Sequence, residues 1–314
     1  MEKKKWTIIV RTQGKNNDLE LKNALNSLIA QTYENISIII TIHNDNEKVI
    51  KETLSFLVPF QKMIEIKPIV VRKKQGNRSY PLNVALRYVD SEYLSFLDND
   101  DIYYPNMGKG LINIIEKNKA SFAYGRSIKA IEKKEEDNLG NTYLYLQKKF
   151  VFETKDFNKI SFLMDNYIPF NSFIVKTSLI GNTRFDEKLY YLEDWDFLRH
   201  LVLKKDFSIA QLHKPVSEYR LRNDDTDTFN EKNSSKWEES RLITDKNIEN
   251  KKLEIDFKDI NDLFKQQNNE RNQLRGEIAR ISSNPAYKLW VKVRDNKIVK
   301  KTIGRVLNII RKNK

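Results

Sequence analysis

Tyr93-Leu94-Ser95-Phe96-Leu97-Asp98-Asn99-Asp100-Asp101 is an apolar run that ends abruptly in carboxylates. Read as a buried strand, it carries acids at its tip that repel one another and are costly to desolvate unless a positive group offsets them. A divalent cation carrying a phosphate-rich ligand is one such counter-charge. Ligands of α/β proteins gather at the carboxyl ends of the strands, so position and chemistry together indicate a nucleotide-diphosphate site. The same residues would also suit an acidic turn that caps a following helix.

On the N-terminal side, Trp6 to Val10 reads as a first strand. Asp18 to Gln31 has Leu21, Ala24, Leu25 and Leu28 at helical spacing, and Ile36 to Ile42 is a nearly continuous β-branched run. Strand, helix, strand is a βαβ unit whose two strands lie parallel and buried. The alternation repeats with a strand at Ile64 to Val71, a helix at Pro81 to Tyr88 and the strand Tyr93 to Leu97, which predicts a doubly wound α/β sheet. Beyond Pro105 the pattern predicts a helix from Met107 to Asn118 and a strand at Ser121 to Tyr124. A hairpin connection or loop follows at Glu132 to Asn141, then a strand or its approach at Ile168 to Val175 and an amphipathic helix at Trp195 to Leu203. From Arg222 to Ser240 the composition turns polar, as at a domain edge or mobile loop.

No apolar run approaches the roughly 18 to 20 residues that span a bilayer, and Met1-Glu2-Lys3-Lys4-Lys5 has no apolar signal core behind it, so a cytoplasmic protein is expected. The absence of cysteine excludes disulfides, thiolate metal sites and a cysteine nucleophile. His43, His200 and His213 are too scattered for a zinc site. The net charge of +13 is uneven: from Lys251 onward about seventeen Lys and Arg stand against about seven Asp and Glu. The front of the chain is close to neutral, which argues against nucleic acid as the main partner. In the last portion Leu289, Trp290, Val293, Ile298, Val299, Ile303, Val306, Leu307 and Ile310 recur at helical spacing among cations. Such a helix would lie on an anionic membrane, each cation adding up to about 1 kcal/mol. A solvated appendage, or coiled-coil pairing through Leu263 to Ile281, would use the same pattern.

Several segments, taken in order over roughly residues 6 to 222, resemble the inverting glycosyltransferases of family two, which have the GT-A fold. Thr7-Ile8-Ile9-Val10-Arg11-Thr12 is similar to the family's opening strand, Leu25-Asn26-Ser27-Leu28-Ile29-Ala30-Gln31-Thr32-Tyr33 to its first-helix ending, and Gly76-Asn77-Arg78-Ser79-Tyr80-Pro81-Leu82-Asn83 to the segment before its DxD motif. Asp98-Asn99-Asp100 matches that motif, and Phe185-Asp186-Glu187-Lys188-Leu189-Tyr190-Tyr191-Leu192-Glu193-Asp194-Trp195-Asp196-Phe197 resembles the acceptor-side motif, in which an acidic pair precedes a Trp and opens a helix.

The resemblance implies an α/β GT-A fold, with 1–120 the nucleotide-sugar half and 121–225 the acceptor half; composition adds a polar linker at 226–256 and a basic amphipathic helical tail at 257–314. It implies a donor site drawing on Thr12, Arg78, Asn83, Asp98 and Asn99, with Asp100 as ligand of Mn²⁺ or Mg²⁺ and Asp98 facing the ribose or a metal-bound water. Expulsion of a diphosphate builds charge on its oxygens, which a Lewis acid stabilises. Asp101 is expected to cap a turn. Asp194 is assigned as the base that inversion requires, with Glu193 orienting it or touching the acceptor; carboxylates that merely complement a helix start would look alike. Asp196 and Trp195 are expected to cap and pack, and His200 to be structural.

Two stretches depart from the family pattern. Thr41-Ile42-His43-Asn44-Asp45-Asn46 stands where many relatives have an acidic pair, leaving Asn44 or Asp45 to meet the nucleobase. Tyr219-Arg220-Leu221-Arg222 carries Arg222 where some relatives have a metal-binding His, so Arg220 or Arg222 would meet the diphosphate. The expectation is therefore a metal-dependent inverting glycosyltransferase of bacterial surface-polysaccharide synthesis. It would take a nucleotide-diphosphate sugar to a glycan or lipid-linked acceptor, held peripherally at the inner face of the cell membrane. The competing class is a noncatalytic basic adaptor that binds membrane or nucleic acid through its tail.

Overall fold

The computed structural model describes residues 4–14, 18–72, 77–140, 142–152, 155–222 and 234–289. In chain order the elements are β1 (Trp6–Thr12), α1 (Asp18–Ile29), β2 (Ile36–His43), α2 (Glu47–Gln61), β3 (Glu65–Val71), α3 (Tyr80–Leu86), β4 (Tyr93–Asp98), β5 (Ile102–Tyr103) and α4 (Met107–Asn118). They continue with β6 (Phe122–Glu136), β7 (Thr142–Val151), α5 (Lys159–Met164), β8 (Phe173–Lys176), α6 (Thr177–Ile180), α7 (Glu193–Val202), β9 (Ile209–Arg222), α8 (Ser234–Glu249) and α9 (Phe257–Ser283).

One sheet runs in the order β3-β2-β1-β4-β8-β6-β9-β5, with β7 paired to β6. Strands β3, β2, β1 and β4 are mutually parallel, as the two βαβ repeats require. β8 is antiparallel to both β4 and β6, and β9 runs parallel to β6. The expected doubly wound α/β sheet is thus present, mixed beyond β4. Helices cover both faces, so the central strands are predominantly apolar on both sides and do not alternate. On one side Ile8 and Val10 of β1 pack with Leu21, Leu25 and Leu28 of α1 and Leu111 of α4. On the other, Ile9 and Phe96 pack with Leu82 of α3 and Trp195 and Phe197 of α7.

Several segments differ from the pattern-based expectation, among them β9, a long strand where none is expected, and three others. Between Ile42 and Ile64, where no element is expected, the chain forms α2, capped by Asn46, whose side chain accepts from Lys48 N and Val49 N. Its buried residues are only Ile50, Thr53 and Leu57, and Pro59 lies within its last turn, so its apolar stripe is narrow. Glu132 to Glu136, expected as connection, extends β6; the turn itself is Asp137 to Gly140, where Gly140 N donates to Asp137 O at 3.0 Å and takes φ +81°. The span expected as a polar linker, 226–256, contains α8. That helix buries Ser240 and Thr244 in place of an apolar stripe. It docks through polar contacts: Tyr191 N donates to Ser240 Oγ at 3.2 Å, and Asn247 Nδ2 donates to Asp186 and Asp196 at 2.9 and 3.0 Å.

Residues 1–254 and 255–314 are separate compact units. In the second, α9 buries no residue and exposes Phe257, Phe264, Leu274, Ile278 and Ile281. The expected amphipathic run from Trp290 to Ile310 lies outside the described residues. No helix among the described residues is long and apolar enough to cross a membrane.

Trp6 anchors the start of the sheet. It is fully buried, donates Nε1–H to Ser95 Oγ at 3.0 Å and stacks on Tyr103 at 6.0 Å. Gly108 of α4 lies directly on it, so a Cβ there would come within 2.3 Å of Trp6 Cζ3. Gly108→Ala is expected to cost about 1–3 kcal/mol in urea unfolding through overpacking. Gly276→Ala, where a Cβ meets nothing within 4 Å in α9, is expected not to destabilise.

Candidate active site

The site is built where β1 and β4 end side by side, with Arg11 in register opposite Asp98. Arg11 is the one charge in an otherwise apolar, buried strand. Its guanidinium holds Asp98 with two bonds, Nε to Oδ1 at 2.5 Å and Nη2 to Oδ2 at 3.0 Å, and reaches Glu193 Oε1 from Nη1 at 2.9 Å. Arg78 Nε meets the same Glu193 oxygen at 2.7 Å. Phe170 lies 5.6 Å beneath the Arg11 guanidinium and stacks in turn on Phe96, so the ion cluster rests on an aromatic floor. Planar, two-point pairing of this kind suits arginine and not lysine.

Glu193 and Asp194 open α7. The residue before them, Leu192, takes φ +63°, an uncommon conformation for a side chain of its size, and turns the chain sharply into the helix. Glu193 is buried and spent on the two arginines. Asp194 faces a cleft of about 530 Å³ that it shares with Arg11, Arg78, Asp98 and Glu193. Burial and the adjacent Glu193 charge push its carboxyl up to about 6, against opposing pulls from the Trp195 N–H, Arg78 and Arg11. A carboxylate that titrates near neutrality is suited to accept a hydroxyl proton.

The acids at the β4 tip have distinct surroundings. Burial would raise Asp98, but the Arg11 guanidinium outweighs it and holds the carboxyl below its ordinary value. Asp100 is pushed up to about 6 by burial and by the Asp98 charge, although Arg222 Nη2 lies 3.0 Å from its Oδ2. Arg222 also bonds Glu20 at 2.5 Å, giving a chain Glu20–Arg222–Asp100. Asp101 is buried and accepts from Arg220 N at 2.9 Å and Asn171 Nδ2 at 2.7 Å. Its backbone N–H closes a turn to Asp98 O, yet its carboxylate pins β9 to the tip of β4, a larger role than the expected turn cap.

Of the residues expected on the donor side, Arg78 and Asp98 reach the cleft with the acidic pair. Thr12 accepts from Gly14 N at 3.1 Å, and Asn44 donates to Gln13 O at 2.5 Å while accepting from Asn46 N at 2.9 Å, so both shape the loops after β1 and β2. Asp45 is exposed beside them. Asn99 Nδ2 is buried without a hydrogen-bond partner, an unmet donor next to Asp100. Asn83 sits apart: its amide donates to Phe185 O at 2.9 Å and Glu187 Oε1 at 2.8 Å and accepts from Phe185 N at 2.9 Å, bracing the loop before α7. The Arg220 guanidinium is likewise held by Glu132 and Glu218, each at 3.1 Å, and does not line the cleft. Trp195 packs as expected and donates Nε1–H to Phe162 O at 2.9 Å; Asp196, expected as a cap, instead accepts from Asn247 Nδ2 at 3.0 Å, and His200 Nδ1 sits 2.9 Å from Asp196 O in a structural contact.

Sequence reasoning gave Arg11 no role, although a lone cation inside a buried β-branched run is a signal, because only a paired charge belongs there. It also missed Trp237, Glu238 and Arg241 of α8, which line the same cleft. Their signal is weak, since α8 has no apolar periodicity.

Residues 7–180 match the family described as Glycosyl transferase family 2. The chain belongs to glycosyl transferase family 2. The matched span holds Arg11, Asp98 and Asp100 and ends before Glu193. An uncharacterized glycosyltransferase of Rickettsia conorii is 33% identical over 140 residues, 44% of this chain and 21% of the relative, so the chain spans only a part of that protein. Another from Rickettsia felis is 36% identical over 107 residues, 17% of its length. The poly(ribitol-phosphate) beta-N-acetylglucosaminyltransferase TarP of Staphylococcus aureus is 26% identical over 223 residues, covering 64% of this chain and 67% of TarP. Among solved structures, S. aureus TarS 1-349 in complex with UDP superposes with a TM-score of 0.58 at 18% identity, over 80% of this chain and 67% of that one. The likeness to TarS carries the fold, and the GT-A expectation is met.

Removing Arg11 leaves Asp98 and Glu193 buried without their main counter-charge. Arg11→Met is therefore expected to lower unfolding stability by about 3–5 kcal/mol in guanidinium titrations. Asp194→Asn is expected to act in the opposite direction. Its folded carboxyl stands at about 6 against an ordinary 3.8, so ionisation destabilises the native state progressively as pH rises through that window. At pH 7.5 the Asn variant is expected to be more stable by about 1–2 kcal/mol, less than the full shift because the cleft is open to water, and equal to wild type near pH 3.5.

Proposed function

We propose that this protein transfers a sugar, with inversion, from a nucleotide-diphosphate donor to a hydroxyl of a glycan or lipid-linked glycan acceptor. The observation that carries the reading is Asp194: a carboxylate with a pKa of about 6, at a helix start, in the same cleft as the paired strand tip. One Asp194 oxygen takes the acceptor hydroxyl's proton while the acceptor oxygen attacks the anomeric carbon. The bond from that carbon to the diphosphate breaks, and its electron pair leaves with the nucleoside diphosphate. Glu193 holds Arg11 and Arg78 in place beside the reacting centre and is a positioning residue. The TarS complexes with UDP and with UDP-GlcNAc support a nucleotide-sugar donor.

The residues at the β4 tip are compatible with Mn²⁺ or Mg²⁺ in one limited way. Among the described residues no group of three His, Cys, Asp or Glu is arranged to hold a metal, and both oxygens of Asp98 bond Arg11. Asp98 is thereby better suited to fixing Arg11 than to ligating a cation, which revises its expected part in the metal site. Asp100 would hold the cation alone, with diphosphate oxygens and water completing the shell as magnesium commonly allows. A bound cation would offset charge that grows on the departing diphosphate. Arg222, on the same carboxylate, is the protein's own positive charge at this point.

The reading extends to bacterial surface-polysaccharide synthesis and to a peripheral position on the inner face of the cell membrane, reached through the basic C-terminal segment. The excess of Lys and Arg after Lys251 supports that attachment. Deleting Pro285 to Lys314 is expected to abolish sedimentation with anionic liposomes at 0.1 M salt; unchanged sedimentation rejects the anchor.

For the chemistry, Asp194→Asn is expected to keep UDP binding in calorimetric titrations while losing at least about 10³-fold in transfer. In wild type, log kcat/KM is expected to rise with unit slope up to about pH 6 and then level, because the base must be ionised. Asp100→Asn is expected to remove any dependence of UDP binding on Mn²⁺. Wild-type transfer by the Asp194→Asn variant would overturn the assignment.

A further inference from the structure

The part of the cleft beyond Asp194 is unlike its floor. Tyr191, three residues before the proposed base, stacks on Trp237 of α8 with ring centroids 4.9 Å apart and planes 3° from parallel, and both line the cleft. Asn166, on the same wall, has a buried Oδ1 with no hydrogen-bond partner. An amide oxygen beside an open cleft needs a donor, which water or a ligand hydroxyl supplies. Glu238 adds a further acceptor for hydroxyl groups. Flat aromatic surface suits the apolar C–H face of a pyranose ring, and convergent oxygen acceptors suit its equatorial hydroxyls.

Charge narrows the ligand further. Five carboxylates line the cleft, those of Asp98, Asp165, Glu193, Asp194 and Glu238, against the guanidinium groups of Arg11, Arg78 and Arg241. All three arginines are already engaged: Arg11 with Asp98 and Glu193, Arg78 with Glu193, and Arg241 with Asp245 at 3.1 Å and Met164 O at 3.0 Å. With Asp98 and Glu193 paired to arginines and Asp165 to Lys155 at 3.6 Å, Asp194 and Glu238 are the lining acids without a salt bridge among the described residues, and a phosphate-bearing acceptor would enter beside them with no uncommitted cation on the lining.

We propose that Tyr191 and Trp237, with Asn166 and Glu238, form the acceptor subsite, and that it takes a neutral pyranose and not an anionic polyol phosphate. The proposal rests on the glycosyltransferase reading of the same cleft. α8 thereby becomes a specificity element of the enzyme, docked on the catalytic unit by polar contacts.

Saturation-transfer NMR on the full chain with UDP present tests it, using methyl β-D-glucopyranoside, methyl β-D-N-acetylglucosaminide and ribitol 5-phosphate as probes, with UDP titrated separately by calorimetry. Wild type is expected to transfer saturation to ring C–H protons of at least one pyranoside and not to ribitol 5-phosphate. Trp237→Ala is expected to reduce the pyranoside signal at least fivefold, with Trp237→Phe restoring most of it and UDP affinity within twofold of wild type in both. UDP affinity reports both folding and the donor side, so loss of the pyranoside alone locates the effect in the subsite. Absence of any pyranoside signal in a wild-type protein that binds UDP overturns the subsite and leaves the donor reading standing. Preferential binding of ribitol 5-phosphate, or pyranoside signals unchanged in Trp237→Ala, overturns it equally.

Discussion

The two-point pairing of Arg11 with Asp98, extended to Glu193, is the interaction on which the site depends. It joins three pieces of chain that are far apart in sequence: the first strand, the acidic strand tip and the start of α7. Asp98 would be costly at its depth without that guanidinium, and Glu193 would be left with Arg78 alone. With it, the β4 tip and the α7 start are locked together, and the cleft between them acquires a fixed floor. The register of β1 against β4 makes this possible, because it sets Arg11 opposite Asp98 with no adjustment of backbone.

The same pairing divides labour among acids that look alike in sequence. Asp98 is bonded through both oxygens to Arg11, and Glu193 pairs with Arg11 and Arg78. Asp101, buried deepest of the β4-tip acids, ties β9 to that tip through Arg220 N and Asn171. Asp100 and Asp194 are each left beside an acid already committed to Arg11, and both stand near 6. Neighbouring like charge and burial thus raise both carboxylates, Asp194 in the cleft and Asp100 beside Arg222.

How much of this was legible in the sequence follows from what each element is made of. β1, β2 and β4 are continuous apolar runs because both faces are covered, and that signal is local, so their order and parallel sense could be read. Asp194 and Asp100 were legible through motif order. α2 and α8 were not legible as elements, because one buries only Ile50, Thr53 and Leu57 and the other Ser240 and Thr244, too little for a periodic stripe. Asn83 misled for a different reason. An amide in a polar segment suits a ligand or a loop equally well, and only the positions of Phe185 and Glu187 decide that it braces the loop. Arg11 was visible but unassigned, since its partner lies 87 residues away and its meaning is a matter of strand register.

The arrangement also explains why the cost of the site does not spread through the fold. Asp194 and Asp100 lower stability wherever they are ionised, and Leu192 adds backbone strain at the α7 start. These costs sit at the carboxyl ends of parallel strands whose interiors are mostly apolar, with their few buried hydroxyls hydrogen-bonded, as Thr7 with Ser37 and Ser95 with Trp6. Beneath them Phe96, Phe170, Phe185 and Phe197 form a contiguous aromatic layer, with Phe185 and Phe197 stacked 4.2 Å apart. An apolar base under a charged rim lets the rim keep two raised carboxylates without loosening the sheet. Neutralising Asp194 would relieve the rim and, on the proposed mechanism, remove the base, so at that one residue stability and chemistry would pull in opposite directions.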